Sequence, residues 1–267
     1  MASYLILGGE GFIGTALQDF LVSAGHSVSS IDFKNDKEQD LRYLTIDNLI
    51  DFDGVFFLAW NVGGSKYLTD TNTWPEQFQD NILIIGNVFP QLIRSKIPFL
   101  FVSSQLAGTD NSPYSISKQL AESYCATQPQ AVVARQWNVY GSLEKFDIRS
   151  HVISDFVWQA VHNGRIQLIT DGSEKRKFIH LEDTAKAYLR MLQHHQGQTF
   201  DVSGGQYVTI YEVAELVAEL TGSTLERGSA SGFTPTAREH PTVPGWIPEI
   251  TLEAGITSLI SRVKSTS

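Results

Sequence analysis

An apolar run, a glycine-rich turn and a helical pattern follow one another at the start of the chain, and this order limits the fold more than any other feature. Ser3–Leu7 has the composition of a buried strand, and the turn after it contains Gly8 and Gly11. Apolar residues then recur at helical spacing, at Ile13, Leu17, Phe20 and Leu21. Glycines let backbone N–H groups and a helix N-terminus approach an anion closely. The segment therefore predicts a binding site for a pyrophosphate.

A carboxylate follows the second predicted strand. Residues 26–31 are expected to form this strand, and Asp32 comes directly after it. Dinucleotide sites keep an acidic residue at about this position for the hydroxyl groups of the adenosine ribose. The order strand, turn, helix, strand and acid predicts a nucleotide site rather than a purely structural turn.

The first half of the chain continues to alternate between strands and helices. Further strands are predicted at 54–59, 98–103 and 131–135, and helices at 74–96 and 114–127. Strands that are apolar on both faces and separated by helices are typical of a parallel sheet covered on both sides. Crossovers of one hand then give a doubly wound, Rossmann-type α/β sheet that binds its ligand at the carboxyl ends of the strands.

The pattern becomes less regular after Gly141. Helices are predicted at 151–161, 183–193, 212–220 and 252–263, and strands at 166–169, 178–180 and 199–202. These segments are expected to form a smaller α/β region over the nucleotide domain. We therefore predict a Rossmann domain over residues 1–140, with a return segment near 178–202, and a substrate-binding region over residues 141–267.

Composition and charge limit the partners. With 267 residues, a net charge of −9 and 18% charged side chains, the chain is not expected to bind a polyanion such as nucleic acid. The single cysteine, Cys125, falls in a helical pattern and is expected to be a buried thiol. His194 and His195 lack acidic or cysteine partners at metal-ligand spacing, so no metal site is expected. The absence of a signal-like or membrane-length apolar segment predicts a cytoplasmic protein without membrane contact.

Tyr114 and Lys118 lie four residues apart at the start of a predicted helix, so both side chains project from one face. A lysine beside a phenol stabilises the phenolate and makes proton transfer near neutral pH easier. Ser103 and Ser104 end the fourth strand, at the edge where an α/β sheet places its ligands. A hydroxyl group there can hydrogen-bond an alcohol or a carbonyl. These residues predict proton-transfer chemistry beside a bound dinucleotide.

A series of longer motifs spans nearly the whole chain. These are Gly8-x-x-Gly11-x-x-Gly14, Phe57-Leu58-Ala59, Asn81, Val102-Ser103-Ser104, Pro113-Tyr114-Ser115-x-Ser117-Lys118-x-x-x-Glu122, Arg135-Gln136-Trp137-Asn138-Val139-Tyr140-Gly141 and Asp171-Gly172-x-x-x-Arg176-Lys177-Phe178-Ile179-His180-x-x-Asp183. In type and order they resemble the motifs of the extended short-chain dehydrogenases/reductases that act on nucleotide sugars, often called the epimerase/dehydratase family.

The resemblance implies NAD as the cofactor. It implies contacts with the pyrophosphate, the adenosine and the nicotinamide side of NAD from Gly8, Gly11, Phe12, Ile13, Gly14, Asp32, Asp40, Leu41, Leu58, Ala59, Tyr114 and Lys118. Asp32 would bind the adenosine ribose, and Asp40 with Leu41 would cap the adenine. The Asp32 carboxylate repels a 2′-phosphate and so favours NAD over NADP, although Lys34 is an argument in the opposite direction.

The resemblance also implies a nucleotide-diphosphate sugar as the substrate. Tyr114 would be the acid/base, supported by Lys118, and Ser104 matches the catalytic hydroxyl better than its neighbour does. Asn138 and His151 would face the sugar nucleotide, and the planar guanidinium of Arg176 would pair with the diphosphate. For His151 and Arg176 the alternative is an ordinary polar surface residue.

The resemblance further implies a homodimer, in which the long helix and the Tyr–Lys helix of two subunits form a four-helix bundle. The apolar residues of the long helix, among them Phe78, Ile82 and Ile85, could equally be core that faces the sheet. The sequence alone leaves both alternatives open.

Departures from the family pattern narrow the chemistry. Family members that dehydrate sugars carry an Asp-Glu pair directly after the catalytic hydroxyl, where this chain has Gln105 and Leu106. Sugar 4,6-dehydration is therefore not expected. The stretch Val62-Gly63-Gly64 resembles a loop of 3,5-epimerising members, but Leu106 replaces the cysteine that these enzymes use as a base.

We therefore predict an NAD-dependent nucleotide-sugar 4-epimerase that works through a transient 4-keto sugar. A 4-keto-sugar reductase that consumes NAD(P)H would use the same residues and is the alternative within enzymes. A non-catalytic NAD-sensing protein of the same fold is the alternative outside enzymes, because a fold alone does not establish activity.

Overall fold

The central element of the computed structural model, which describes residues 1–141, 146–147 and 149–266, is a six-stranded parallel sheet. The strands of the chain are β1 (Ser3–Leu7), β2 (Ser27–Ile31), β3 (Gly54–Phe57), β4 (Phe99–Ser104), β5 (Ala131–Gln136), β6 (Asn138–Tyr140), β7 (Arg165–Gln167), β8 (Lys175–Arg176), β9 (Phe178–His180), β10 (Thr199–Val202), β11 (Val208–Thr209) and β12 (Thr224–Glu226). The helices are α1 (Phe12–Ser23), α2 (Ser65–Thr69), α3 (Trp74–Ser95), α4 (Pro113–Cys125), α5 (Val152–Asn163), α6 (Leu181–His194), α7 (Ile210–Thr221) and α8 (Leu252–Thr266).

The strand order in the large sheet is β10-β5-β4-β3-β1-β2, with every pair parallel. The chain moves from β1 to β2 on one side and then returns to β3 on the other side of β1. The order of the strands reverses at this point, and ligands of open α/β sheets bind in the crevice outside the carboxyl ends of such strands. The predicted doubly wound α/β class is confirmed.

Alternation along the strands divides the core into two layers. Tyr4 and Ile6 of β1 face the layer that contains α1 and α6, whereas Leu5 and Leu7 face the layer that contains α3 and α4. All four side chains are at most 3% exposed. Helices therefore cover both faces of the sheet, and a ligand can reach the sheet only at its carboxyl edge.

A third core joins α5, α7 and α8 below this edge. Short two-stranded pairs, β6 with β9, β7 with β12 and β8 with β11, connect these helices to the cleft. The intervening β10 belongs to the large sheet and α6 packs against β4 and β5, so residues 181–202 return to the Rossmann layer. The domain boundary after residue 140 stays a prediction.

The predicted helices and long strands are confirmed, with ends that shift by at most three residues. The short elements β6, β8, β11, β12 and α2 were not predicted, because two to five residues are too few for a periodic pattern to emerge.

Cys125 is buried as expected, and burial raises the pKa of its thiol. Ile85 of α3 is core that faces the sheet, whereas Phe78 of the same helix is 47% exposed.

Candidate active site

The turn between β1 and α1 requires glycine at two positions. Gly8 has a φ of 93°, a left-handed conformation that side chains disfavour, and a Cβ there would lie 2.6 Å from the backbone nitrogen of Ala59. A Cβ on Gly14 would collide with the carbonyl oxygen of Gly8. The turn can thus be tight, and α1 can approach β1 closely, only with these glycines.

The N-terminus of α1 opens toward the cleft. Gly11 is the N-cap residue, and within the described chain no side chain caps this end of the helix. The backbone N–H groups at the start of an uncapped helix, and the positive end of its dipole, are suited to a phosphate. Phe12 and Ile13 form the first turn and line the cleft. This cradle fits the pyrophosphate of a dinucleotide.

Asp32 lies directly beside this cradle, at the end of β2. Its side chain is buried, and its two carboxylate oxygens accept hydrogen bonds from the backbone N–H groups of Glu10 and Lys34, each at 3.0 Å. Nζ of Lys34 donates to the Glu10 carbonyl at 3.3 Å and so lies on the same rim. A carboxylate and an ammonium group therefore both border the expected position of the adenosine ribose.

Asp40 and Leu41 line the same end of the cleft. Asp40 is bound by Arg42 at 2.6 Å, and this hydrogen bond lowers the pKa of the Asp40 carboxyl against the effect of burial. Arg42 also contacts Asp80 of α3 at 2.6 Å. Leu41 is buried in the core beneath. The segment is thus anchored by one ion-pair network and one apolar side chain.

Leu58 and Ala59 follow β3 and line the cleft, and Ala59 lies directly beside Gly8. The next residue, Trp60, also lines the cleft and was not among the predicted site residues. An indole ring directly after a strand end was the signal available in the sequence.

Ser103 is part of a structural network. Its hydroxyl donates to Glu122 of α4 at 2.5 Å, and Glu122 pairs with Arg135 of β5 at 2.8 Å. Arg135 also donates to the carbonyl groups of Ala107 and Arg238. The glutamate of one motif and the arginine of another therefore fasten α4 to the sheet. Removal of one partner from a buried ion pair of this kind costs about 3–5 kcal/mol.

Ser104 faces the cleft beside Tyr114. Burial raises the pKa of the Tyr114 phenol to about 12, and a hydrogen bond with the Ser104 side chain acts in the opposite direction. The Ser104 hydroxyl also donates to Oε1 of Gln105 and accepts from the backbone N–H of Leu106, both at 3.1 Å. The serine is thus in direct contact with the predicted acid/base.

Lys118 lies on the same face of α4 as Tyr114 and is 3% exposed. Its ammonium group donates to the Val102 carbonyl at 2.6 Å and lies 5.8 Å from the centre of the Tyr114 ring. It is 4.0 Å from the centre of the Trp60 ring. Burial lowers the pKa of this lysine well below its usual range.

A cleft of about 1940 Å³ connects these groups. Pockets for a single drug-sized ligand have volumes of roughly 300–1,000 Å³, so the cleft has room for a cofactor and a second ligand. Every site residue predicted from the sequence lines the cleft, among them Gly8, Tyr114, Asn138 and Arg176. The roles of these residues stay predictions.

Arg176 lines the cleft from β8, which lies outside the six-stranded sheet that carries the glycine turn. Its guanidinium donates to the carbonyl groups of Lys175 at 2.8 Å and Phe233 at 3.2 Å, and in the described part of the chain it forms no ion pair. Burial lowers the pKa of Arg176, and the charge of Glu174 opposes this. A half-buried cation in a cleft is suited to an anionic ligand. Asn138, nearby, donates to the carbonyl group of Lys177 at 3.1 Å.

His151 is the N-cap residue of α5 and contacts the glycine turn. Its imidazole stacks on the ring of Phe12, with centroids 5.6 Å apart and an angle of 23° between the planes. The side chain therefore bridges the second region and the start of α1, and it also lines the cleft. The predicted contact of His151 with the sugar stays a prediction.

Three further residues of the cleft were missed from the sequence, namely Arg149, Trp137 and Phe233. Arg149 donates to Tyr67 of α2 at 3.0 Å and thereby ties this helix to the second region. Phe233 is 75% exposed beside Arg176.

Among the described residues, no group of three or more histidine, cysteine or acidic side chains could hold a metal ion. In the same part of the chain, no helix is long and apolar enough to cross a membrane.

A doubly wound sheet with a glycine cradle, an acid after β2 and a Tyr–Lys helix at its carboxyl edge defines a class of dinucleotide-dependent enzymes. Residues 4–203 match the NAD dependent epimerase/dehydratase family, and the chain belongs to that family. It is therefore an NAD-dependent enzyme of the extended short-chain dehydrogenase/reductase type, as the motifs predicted.

Relatives of this chain carry out different reactions. It is 29% identical to the GDP-6-deoxy-D-mannose reductase of Pseudomonas aeruginosa, over 67% of this chain and 64% of that reductase. It is 23% identical to the putative UDP-glucose 4-epimerase of Methanocaldococcus jannaschii, over 98% of both chains. A UDP-glucose 4-epimerase from Thermotoga maritima, solved with UDP-glucose, has the same fold, with a TM-score of 0.82, 21% identity and 99% of each chain covered.

Proposed function

We propose that the protein is an NAD-dependent nucleotide-sugar 4-epimerase. The observation that carries the proposal is that one cleft is lined by Ser104, Tyr114 and Lys118, by the glycine cradle and by Arg176. NAD on the cradle and a nucleotide diphosphate at Arg176 would bring the nicotinamide and the sugar together at Tyr114.

Bound NAD would supply a hydride acceptor that can return the hydride to the same carbon. Tyr114 as phenolate removes the proton of the C4 hydroxyl group while C4 loses its hydride, which leaves a 4-keto sugar. After the sugar turns over in the cleft, C4 regains the hydride on its other face. Tyr114 returns the proton to the oxygen, so that no net oxidation occurs.

Burial opposes the formation of the phenolate that this reaction needs, because it raises the pKa of Tyr114 to about 12. The Ser104 hydroxyl acts against burial through its hydrogen bond with the phenol. A positive charge nearby also favours a phenolate. We assign this role to Lys118, whose side chain would in addition hold the nicotinamide ribose.

Arg176 would bind the diphosphate of the substrate. Its guanidinium contacts only carbonyl oxygens among the described residues, so its charge is available to an anion. A planar guanidinium can donate two parallel hydrogen bonds to a phosphate, which an ammonium group cannot do. Asn138 and the exposed ring of Phe233 border the same volume.

The side chains after Ser104 argue against sugar dehydration. Gln105 is buried beside the serine, and its amide oxygen accepts the serine's hydrogen bond. Neither an amide nor the side chain of Leu106 can act as the acid of an elimination. The site therefore favours reactions in which the hydride moves and the carbon skeleton keeps its oxygen atoms.

A 4-keto nucleotide-sugar reductase is the second candidate, and the reductase relative from Pseudomonas aeruginosa supports it. The same tyrosine would then donate a proton to a 4-keto group, and the hydride would come from exchangeable NAD(P)H. An NAD-sensing protein without turnover is the third candidate, against which the intact Ser104, Tyr114 and Lys118 argue.

A panel of UDP-, GDP-, dTDP- and CDP-sugars tests these candidates, with the sugar followed by NMR and the nicotinamide followed by absorbance. An epimerase converts one sugar into its C4 epimer with no net change in NADH. Consumption of NADPH on a 4-keto sugar, without epimer formation, would replace the proposal by the reductase. NAD binding without turnover of any sugar would support the NAD-sensing protein instead.

We also propose a homodimer through α3 and α4. Side chains that are at least 41% exposed lie along these two helices, at Phe78, Ile116, Leu120 and Tyr124. Their burial between two subunits would form the expected four-helix bundle. Light scattering of the purified protein should give the mass of two chains, and Leu120→Glu should shift it toward one.

A further inference from the structure

The ammonium group of Lys118 is buried without a carboxylate partner. Its side chain forms no ion pair in the described part of the chain, and its hydrogen bond goes to the neutral carbonyl of Val102. An ammonium group in such surroundings tends to lose its proton, because burial penalises the charged form. The proposed mechanism needs this charge.

Two aromatic rings surround the charge instead. The ammonium nitrogen lies 4.0 Å from the centre of the Trp60 ring and 4.9 Å from that of Phe101. The two rings also pack against each other, with centroids 5.4 Å apart. The electron-rich face of an indole attracts a cation more strongly than a phenyl ring does, above all where water is excluded.

We infer that Trp60 is a positioning residue that keeps Lys118 protonated and holds its ammonium group at the end of β4. The indole face takes the place of a counter-ion. Unlike a carboxylate, it adds no negative charge that would oppose the ionisation of Tyr114. A positive charge that is stabilised without being neutralised is what a nearby phenolate requires.

Three groups of its own helix also lie near Lys118, namely Tyr114, Glu122 and Cys125. Glu122 favours the charge of Lys118, but it pairs with Arg135 of β5 at 2.8 Å and is thereby largely neutralised. From α6, Tyr188 faces Tyr114 rather than the lysine, and its hydroxyl donates to Gln136 at 2.7 Å.

The direct test is a pH titration of the Lys118 ammonium, by the ¹⁵N shift of its Nζ in the full chain labelled with [¹⁵N]lysine. Lys118→Met identifies the signal. Trp60→Leu removes the π face but keeps apolar bulk, so we expect the pKa of Lys118 to fall by about one to two units. Trp60→Phe, which keeps a weaker π face, should give a smaller fall. Trp158→Leu removes an exposed tryptophan of α5 and should leave the titration unchanged.

A pKa of Lys118 that stays the same or rises in folded Trp60→Leu would overturn the inference. If Trp60→Leu does not fold, the same criterion applies to Trp60→Phe: a pKa of Lys118 that stays the same or rises in this variant would overturn the inference. A double-mutant cycle of Trp60→Phe with Lys118→Met in thermal unfolding gives a second reading, in which strictly additive effects would also overturn it.

Neither measurement uses a nucleotide sugar, so the inference can fail or succeed independently of the proposed epimerase activity. Where an active substrate is known, Trp60→Phe should in addition move the alkaline limb of the kcat profile to lower pH, because Lys118 would lose its proton earlier. The size of this shift should match that of the Lys118 titration.

Discussion

Ser103 and Ser104 are adjacent at the end of β4, but their hydroxyl groups have different partners. The hydroxyl of Ser103 donates to Glu122, which is paired with Arg135, whereas that of Ser104 contacts Tyr114 and Gln105. Alternation along a strand sends neighbouring side chains to opposite faces. One serine is therefore part of the scaffold and the other part of the candidate site.

Ser104→Ala and Ser103→Ala should separate these two roles. Loss of a donor that contacts the reacting groups typically costs about 10²–10³-fold in kcat, and this is expected for Ser104→Ala with little change in stability. Ser103→Ala should keep its rate and lose about 1.5–3 kcal/mol of unfolding free energy, since it removes a hydrogen bond to a charged group. Steady-state kinetics and urea unfolding of both variants are the measurements. Equal rate losses in the two variants would contradict the assignment.

Tyr114→Phe removes one oxygen atom and should abolish proton transfer while the fold and NAD binding persist. The loss of a general acid/base costs about 10²–10⁴-fold in rate. Tyr43→Phe, at an exposed tyrosine that does not line the cleft, is the control and should behave as wild type. Near wild-type turnover of folded Tyr114→Phe would rule out the proposed mechanism.

Arg176→Ala should weaken the binding of nucleoside diphosphates by about one to two orders of magnitude, because it removes charge-assisted hydrogen bonds. NAD affinity should stay the same, since Arg176 belongs to β8 of the second region and not to the glycine cradle. Arg176→Lys should recover part of the loss. Arg165→Ala, which removes an arginine paired with Glu226 on the surface, serves as the control. The affinities are measured by calorimetric titration of UDP, GDP, CDP and dTDP. If all four bind Arg176→Ala as they bind wild type, Arg176 does not belong to the diphosphate site.

Asp32→Asn should weaken NAD binding and narrow the gap between the affinities for NAD and NADP. The amide keeps an oxygen for the N–H group of Glu10 or Lys34 but removes the charge that repels a 2′-phosphate. The ammonium group of Lys34 on the same rim should assist NADP in this variant. Asp36→Asn, in the exposed loop nearby, is the control. An unchanged ratio of the two dissociation constants would remove Asp32 from the cofactor site.

His180 should make the protein less stable in mild acid. It is the N-cap residue of α6, and its Nδ1 accepts a hydrogen bond from the backbone N–H of Glu182 at 3.3 Å, which requires a neutral ring. Burial lowers the pKa of His180, with Glu182 and Asp183 opposing. The unfolded chain therefore binds the proton more readily. The contribution of neutral His180 to the unfolding free energy is therefore fully present above the pKa of about 6.5 that histidine has in the unfolded chain. It is lost as the pH falls below this value.

His180→Asn keeps a capping side chain that does not titrate. Its unfolding free energy should therefore fall less than that of wild type between pH 7.5 and pH 5, as measured by urea denaturation. His194→Gln, at an exposed histidine of the same helix, controls for the loss of a histidine. Parallel pH profiles for wild type and His180→Asn would show that His180 does not carry the effect.

Much of the fold was predictable from the chain alone. The glycine turn, the acid after β2 and the spacing of Tyr114 and Lys118 are properties of single elements and their immediate neighbours. These features could be predicted because they depend on residues that are close together in the sequence. The helical and strand periods of the neighbouring residues define the elements that contain them. The return of β10 to the sheet follows from the rules of parallel crossovers.

Tertiary packing decided what the local patterns left open. The motif residues Glu122 and Arg135 pair with each other because α4 lies over β5, and His151 stacks on Phe12 because α5 begins opposite the glycine turn. Trp60 contacts Lys118 only once β3 and α4 are adjacent in space. The sequence by itself determined the class of fold and the residue types available for chemistry. Which of them meet, and which charges are buried, depends on contacts between distant segments, and spacing along the chain carries no information about those contacts.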